Sequence, residues 1–176
     1  MIGLVWLLAC PVAKQFETGP ADSATDSGVE PVGDIFEGIA PCRNPIEVHV
    51  IDVHDGDTAT VEHGGFEELV RFIGIDTTEM NWGGTPDCWA EEATARTTQL
   101  IQGRRVWLGF DATCEDAYDR TLAYITYEGE FINRQLVREG QATAFPFEPN
   151  TSFEGSIATA EQQAQSENLG LWGACP

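Results

Sequence analysis

Two short segments hold most of the residues that could do chemistry. Asp55-Gly56-Asp57-Thr58 puts two carboxylates around a tight turn, and Asp76-Thr77-Thr78-Glu79 puts two more just past an apolar strand. A hard cation such as Ca²⁺ takes several oxygens at about 2.3–2.6 Å, which Asp57, Asp76 and a nearby backbone carbonyl would supply. Between the segments stands Arg71, mid-strand, with Leu69 and Ile73 on its own face and Val70 and Phe72 on the other. A guanidinium in that position is costly unless it meets carboxylates or a bound phosphate. Arg120 follows Asp116-Ala117-Tyr118-Asp119 and opens a later strand. A salt bridge to one of those acids accounts for Arg120 as well as a functional role does. Taken alone, Asp55-Gly56-Asp57-Thr58 reads as an Asx turn rather than as a site.

The elements that must position these groups can be read from periodicity. Glu47 to Val53 alternates and reads as a strand, and Thr58 to Val61 resumes extended structure after the Asp55-Gly56 turn. Gly64-Gly65 turns the chain again, and Leu69 to Ile75 reads as a strand apolar on both faces. Trp89 to Gln102 is helical in pattern, with Ala93, Thr97, Leu100 and Ile101 on one face and Gly103 as its stop. Val106 to Phe110 and Leu122 to Tyr127 read as strands, and Phe131 to Glu139 as a short helix. Thr151 and Glu154 suggest a capping box for a last helix whose buried stripe is Phe153, Ile157, Ala160 and Ala164. Five short strands with a helix after the third imply an α+β fold, an OB-type Greek-key barrel of five strands with three helices.

Composition narrows the setting. The 176 residues carry 29 acids against 9 basic residues, a formal charge of −20, so a continuous basic groove along a nucleic-acid backbone is excluded. From residue 41 onward the chain still has 23 acids against 8 arginines, and its one lysine, Lys14, lies earlier. Residues 1–10 contain the apolar run IGLVWLLA followed by Cys10, with Leu7-Leu8-Ala9-Cys10 reading as a lipobox and Cys10 as an acylated anchor. An ordinary secretory signal is the other reading, and both imply export. Residues 11–41 read as an acidic flexible linker, rich in Gly, Ser, Pro and Thr, leaving 42–176 as the folded domain. Cys42, Cys88, Cys114 and Cys175 form no C-x-x-C pair, so two disulfides are expected in an exported chain. Of the three connectivities, Cys88–Cys114 and Cys42–Cys175 are expected: the second pair brackets the domain, and the first lies at one end of a helix–strand pair.

Several separated motifs occur in one order: DGDT, RFIGIDTTE, DAYDRTLAYI, NRQLVREGQA and GLWGAC. From about Val48 to Trp172 this series resembles the thermonuclease, or staphylococcal nuclease-like, family. The resemblance implies an OB barrel with three helices and Ca²⁺-dependent hydrolysis of DNA and RNA that leaves 3′-phosphates. It implies that Asp57, Asp76 and the Thr77 carbonyl bind calcium, with Asp55 supporting the metal site. Arg71 and Arg120 correspond to the phosphate-binding arginines and Glu79 to the catalytic carboxylate. Tyr118 corresponds to an aromatic at the nucleotide pocket, and Phe145 and Phe147 stand where tyrosines are usual. Thr78 replaces a usual proline, and Asp119 a usual glycine before Arg120. Ala117 and Glu148 stand where lysines are found.

The residues suit that chemistry without the family name. A cation on Asp57 and Asp76 polarises a phosphate, Glu79 accepts a proton from water, and the two arginines stabilise charge on the phosphoryl oxygens. DNA or RNA is the expected partner, with a membrane tether through Cys10 and a monomeric state. His49, His54 and His63 are expected to be structural rather than a two-histidine ribonuclease pair. A non-catalytic OB module that binds nucleic acid would not need Glu79 beside both arginines and both metal acids. A structural envelope lipoprotein would not need an arginine inside a strand.

Overall fold

The computed structural model describes residues 35, 36, 39 and 41–176. The apolar run, Cys10, Lys14 and nearly all of the segment read as a linker lie outside the described residues. Five strands close into a barrel: β1 (Ile46–Val53), β2 (Thr58–His63), β3 (Phe66–Phe72), β5 (Arg105–Gly109) and β6 (Thr121–Tyr127). The sheet runs β3-β2-β1-β5-β6, antiparallel throughout, and the parallel pairing of β3 with β6 closes it. This is the OB-type α+β fold expected from the strand order. Three two-residue strands are additional: β4 (Ile75–Asp76), β7 (Glu130–Phe131) and β8 (Thr143–Ala144). The helices are α1 (Ala90–Ile101), α2 (Ile132–Arg138), α3 (Glu154–Ser166) and a single turn, α4 (Leu171–Ala174).

Alternation explains the barrel wall. Val48 and Val50 of β1, Val70 and Phe72 of β3, and Val106 and Leu108 of β5 are buried, while the residues between them are not. The strand carrying Arg71 is shorter than the apolar run suggested. It ends at Phe72, because Gly74 adopts φ 80, and Ile75–Asp76 leave as β4 to pair with β8. Nor is β3 apolar on both faces: Val70 and Phe72 point inward, whereas Leu69 is exposed and Arg71 half-buried. Helix α1 buries Ala90, Ala93, Thr97 and Ile101, and α3 buries Ile157, Ala160 and Ala164. The expected capping box is not formed. The Glu154 N–H donates to the Thr151 carbonyl at 3.0 Å, and no side chain caps α3.

The disulfides differ from the expected pairing: Cys42 joins Cys114, and Cys88 joins Cys175. Register gives the reason for the first. Ile46 pairs with Leu108 antiparallel, so the chain before β1 runs beside the chain after β5, and the Cys42 N–H reaches the Asp111 carbonyl at 2.7 Å. For the second, the Leu171 N–H donates to the Gly140 carbonyl at 2.9 Å, and Trp89 Nε1 donates to Gln141 Oε1 at 2.9 Å. Both the chain's end and the start of α1 therefore meet the end of α2. The loops closed span 72 and 87 residues, and in the chain-entropy view each contributes up to about 4.5 kcal/mol.

Buried polar groups lock the elements together. Asn133 of α2 is fully buried; its Oδ1 accepts from the Ile125 N–H at 2.8 Å and its Nδ2 donates to the Ile73 carbonyl at 2.9 Å. It thereby ties α2 to β6 and to the turn after β3. Tyr124 of β6 donates its hydroxyl to Asp111 at 2.8 Å, and burial followed by that carboxylate pushes its phenol far above the usual range. Phe36, in the segment read as linker, stacks near Tyr124 and lies against Gly109, where a Cβ would collide with its ring.

Candidate active site

Strand register brings the candidate residues to one end of the barrel. Thr58 at the start of β2 pairs with Arg71 near the end of β3, and Arg71 pairs in parallel with Leu122, two residues after Arg120. The Phe72 N–H donates to the Asp57 carbonyl at 2.9 Å. β4 then places Asp76 within reach of Arg71, and β8 pairs with it, so that the chain continues to Phe145 and Phe147. Arg71, Asp76, Glu79, Arg120, Phe145 and Phe147 line one cleft of about 290 Å³, together with Asp116.

The turn before β2 is tightly built. Asp55 Oδ1 accepts from the Asp57 N–H at 3.0 Å, an Asx turn. The Asp57 carboxylate is buried; it accepts from the Thr77 N–H at 2.7 Å, the Thr77 hydroxyl at 3.0 Å and the Thr58 hydroxyl at 3.1 Å. Thr77 packs so closely on Gly56 that a Cβ there would lie 2.5 Å from the Thr77 methyl. Glycine is therefore required for approach rather than for φ. From the other side, Thr97 of α1 donates its hydroxyl to the Gly56 carbonyl at 2.7 Å.

Arg71 sits among these acids. Its Nη1 pairs with Asp57 and its Nη2 donates to Asp76 Oδ1 at 2.6 Å. Burial lowers the guanidinium below the ordinary arginine range; Asp76 and Asp55 oppose that, and the nearby positive charge of Arg120 reinforces it. Burial likewise raises the Asp55 carboxyl, against hydrogen bonding from Thr58 and the charge of Arg71. Arg120 is held differently. Its Nε donates to Asp116 Oδ2 at 2.7 Å, and Asp116 Oδ1 accepts from the N–H groups of Tyr118 at 2.8 Å and Arg120 at 3.0 Å. The Arg120 guanidinium carbon lies 5.6 Å from the Tyr118 ring centroid, and Tyr118 is 80% exposed.

Glu79, Arg71, Asp76, Arg120, Phe145 and Phe147 thus share the cleft. Asp55, Asp57 and Thr77 lie behind it, and Tyr118 stands outside it beside Arg120. The histidines lie away from the cleft lining: His54 Nε2 meets the Thr60 hydroxyl at 2.7 Å, and His63 Nδ1 meets the Glu47 carbonyl at 2.9 Å. Sequence reasoning does not single out Asp116, Asn133, Thr97 or Thr143 as site residues, although Asp116 is among the acids it offers to Arg120. The four-residue spacing from Asp116 to Arg120 is the one available signal. Thr143 donates its hydroxyl to the Asp76 carbonyl at 3.2 Å, a contact that no local pattern announces.

Of the two acids expected to bind metal, Asp76 is the carboxylate in the cleft with an oxygen left for a hard cation. Asp76 spends one oxygen on Arg71, its side chain is 45% exposed, and it faces the cleft. Asp55, Asp57 and Asp76 surround a single guanidinium, so a further cation would offset negative charge there. Among the described residues no three acid, histidine or cysteine side chains form a ready-made metal cluster. A cation in the cleft would meet Asp76 first, because both oxygens of Asp57 are engaged by Arg71, Thr58 and Thr77.

Fold and cleft together define an OB-barrel protein with paired arginines and carboxylates at the barrel mouth. Residues 69–174 match the family model described as Staphylococcal nuclease homologue, and the chain belongs to that family. It is 36% identical over 124 residues to a thermonuclease of Staphylococcus hyicus, covering 70% of this chain and 73% of that protein. It is 35% identical over 121 residues to the SPbeta prophage-derived endonuclease YokF of Bacillus subtilis, covering 67% of this chain and 41% of that one. Endonuclease YncB of the same organism is 33% identical over 121 residues, covering 67% of this chain and 57% of its own.

Proposed function

We propose that this protein is an exported, Ca²⁺-dependent nuclease that hydrolyses phosphodiester bonds of DNA or RNA and leaves 3′-phosphates. The observation that carries this reading is the single cleft shared by Arg71, Asp76, Glu79 and Arg120. The thermonuclease and endonuclease relatives support it.

Asp57, Asp76 and the Thr77 carbonyl would hold the cation, which would supply Lewis-acid polarisation of the phosphate. Arg71 and Arg120 bind the phosphoryl oxygens and stabilise the charge that builds on them during in-line displacement. Glu79 is exposed at the cleft and takes the proton of the attacking water. The bond from phosphorus to the 5′ oxygen breaks, phosphate stays on the 3′ oxygen, and the departing oxygen takes a proton from solvent. Asp55 stiffens the turn that carries Asp57. Tyr118, Phe145 and Phe147 offer faces to bases.

Two disulfides support an oxidising, extracytoplasmic setting. No described helix is long and apolar enough to cross a membrane. The proposed organisation is residues 1–10 as export signal with Cys10 as anchor, 11–41 as tether, and 42–176 as a monomeric catalytic domain.

The test is hydrolysis of single-stranded DNA by the purified protein in Ca²⁺ and in chelator, with Glu79→Gln alongside. Activity is expected in Ca²⁺, lost in chelator and reduced at least about a hundredfold in Glu79→Gln. Equal activity with and without chelator would overturn the metal-dependent mechanism. Binding without hydrolysis under every condition would make the domain a non-catalytic nucleic-acid module.

A further inference from the structure

Large aromatic side chains left in water call for a reason when several gather at one place. The exposed large aromatics among the described residues are Phe66, Trp82, Tyr118, Phe145 and Phe147. The last three stand in or beside the cleft. Phe66 lies at the β2–β3 hairpin, at the opposite end of its strand from Arg71. Trp82 has no role so far. It is 77% exposed and three residues beyond Glu79, a stretch that spans at most about 11 Å.

The segment carrying Trp82 is fastened at several points. The Asp87 N–H donates to the Glu79 carbonyl at 3.0 Å, which closes the loop at its base. Asn81 Nδ2 donates to Asp87 Oδ1 at 2.9 Å and to the Thr85 carbonyl at 3.3 Å. Within it, the Gly84 N–H donates to the Asn81 carbonyl at 2.6 Å, with Gly83 at φ 92. That closes a four-residue turn with Trp82 at its first central position, and glycine meets the positive φ at the second. The loop's far end is fixed by the disulfide from Cys88 to Cys175. Among the described residues the Trp82 indole makes no hydrogen bond and no aromatic pair. The fastening engages the side chains of Asn81 and Asp87 and leaves the indole free.

Resting on the nuclease reading above, we propose that Trp82 stacks on an unpaired nucleobase of the strand bound in the cleft, one nucleotide beyond the base at the scissile phosphate, and so favours single-stranded substrates. Every base has a face that an indole can cover, and a duplex hides that face against its neighbours. The need is greater here because the arginines are few. Tyr118 stands beside Arg120 and Trp82 follows Glu79, so the loops that bring these two charged groups to the cleft each also carry an exposed ring.

The test compares wild type, Trp82→Ala and Trp82→Phe on two substrates in Ca²⁺: octathymidylate, and a p-nitrophenyl phosphodiester of thymidine that has one base only. Trp82→Ala is expected to raise KM for octathymidylate about tenfold and to change kcat less than twofold. Its kinetics on the one-base ester should match wild type, and Trp82→Phe should recover most of the loss. In a Glu79→Gln background, octathymidylate should quench indole emission, and adding Trp82→Phe should remove that quench. Unchanged KM on octathymidylate in an active wild type overturns the stacking proposal and leaves the nuclease reading intact. So does an equal defect on both substrates, which would mark Trp82 as support for Glu79. Absence of hydrolysis by wild type on either substrate overturns the nuclease reading itself.

Discussion

The two cleft arginines differ in how they are held. Arg71 lies in a strand with its side chain 15% exposed and meets two acids from different elements. Its need for partners is legible in the chain, because a guanidinium set among apolar strand residues is costly without an acid or a phosphate beside it. Arg120 depends on one residue, Asp116, which accepts three hydrogen bonds from a single loop. Burial by itself raises the Asp116 carboxyl, but the N–H groups of Arg120 and Tyr118 and the Arg120 guanidinium outweigh it and hold it below its ordinary 3.8. A depressed folded pKa gives stability that is complete above the ordinary value and is lost as pH falls through the folded one. Asp116→Asn is therefore expected to lower stability at pH 7, with the gap from wild type closing at pH 3, as followed by urea denaturation. An equal gap at both pH values would show that the carboxylate charge does not matter there. Asp119, beside Arg120, adopts φ 60, where glycine or a short polar residue is best tolerated. The departure from the usual glycine is thus absorbed by the backbone.

At the scale of elements, the barrel is legible in the sequence and its register is not. Alternation of Val48 and Val50 marks which residues of β1 face inward, whereas β3, expected to be apolar on both faces, turns only Val70 and Phe72 inward. Nothing in a single sequence states that Ile46 faces Leu108, and the expected disulfide pairing fails for that reason. The β4–β8 pair escapes sequence reading because two residues carry no period, yet it turns Asp76 and Phe145 toward the same cleft. The residue that fastens this region, Asn133, lies on α2, in a motif that carries the family resemblance but no assigned role. Asn133→Ala would leave the Ile125 N–H and the Ile73 carbonyl buried without partners, at about 1–3 kcal/mol each. A total loss of about 2–6 kcal/mol is expected from urea denaturation, together with lower kcat in the fraction that folds, since Ile73 lies two residues from Arg71. A loss below about 1 kcal/mol would show that water or a local shift replaces both bonds.

For the whole molecule the question is how so acidic a protein binds an acidic polymer. The structure sharpens the charge count, because six of the eight arginines already pair with carboxylates. These are Arg43 with Glu68, Arg71 with Asp57 and Asp76, Arg96 with Glu139, Arg105 with Glu47, Arg120 with Asp116, and Arg138 with Glu167. Arg104 and Arg134 lie over the rings of Tyr127 and Phe131. No continuous basic track emerges among the described residues, so few phosphates are neutralised on binding and counterion release contributes little. Long-range attraction is absent, and encounter is slowed by the negative field of the domain. Affinity then comes from short-range contacts at the cleft, which the Debye length of about 8–10 Å at moderate salt screens only weakly. Salt screens the repulsion between domain and substrate more effectively than it screens those contacts. The value of kcat/KM for a short single-stranded substrate is therefore expected to change little, or to rise, between 20 and 200 mM NaCl, roughly the range over which a binder making many phosphate contacts weakens steeply. Ca²⁺ must be saturating throughout, because salt also weakens metal binding and would mimic a loss of substrate affinity. A fall of tenfold or more would mean that the paired arginines give up their carboxylates to the phosphates and act together as a basic surface.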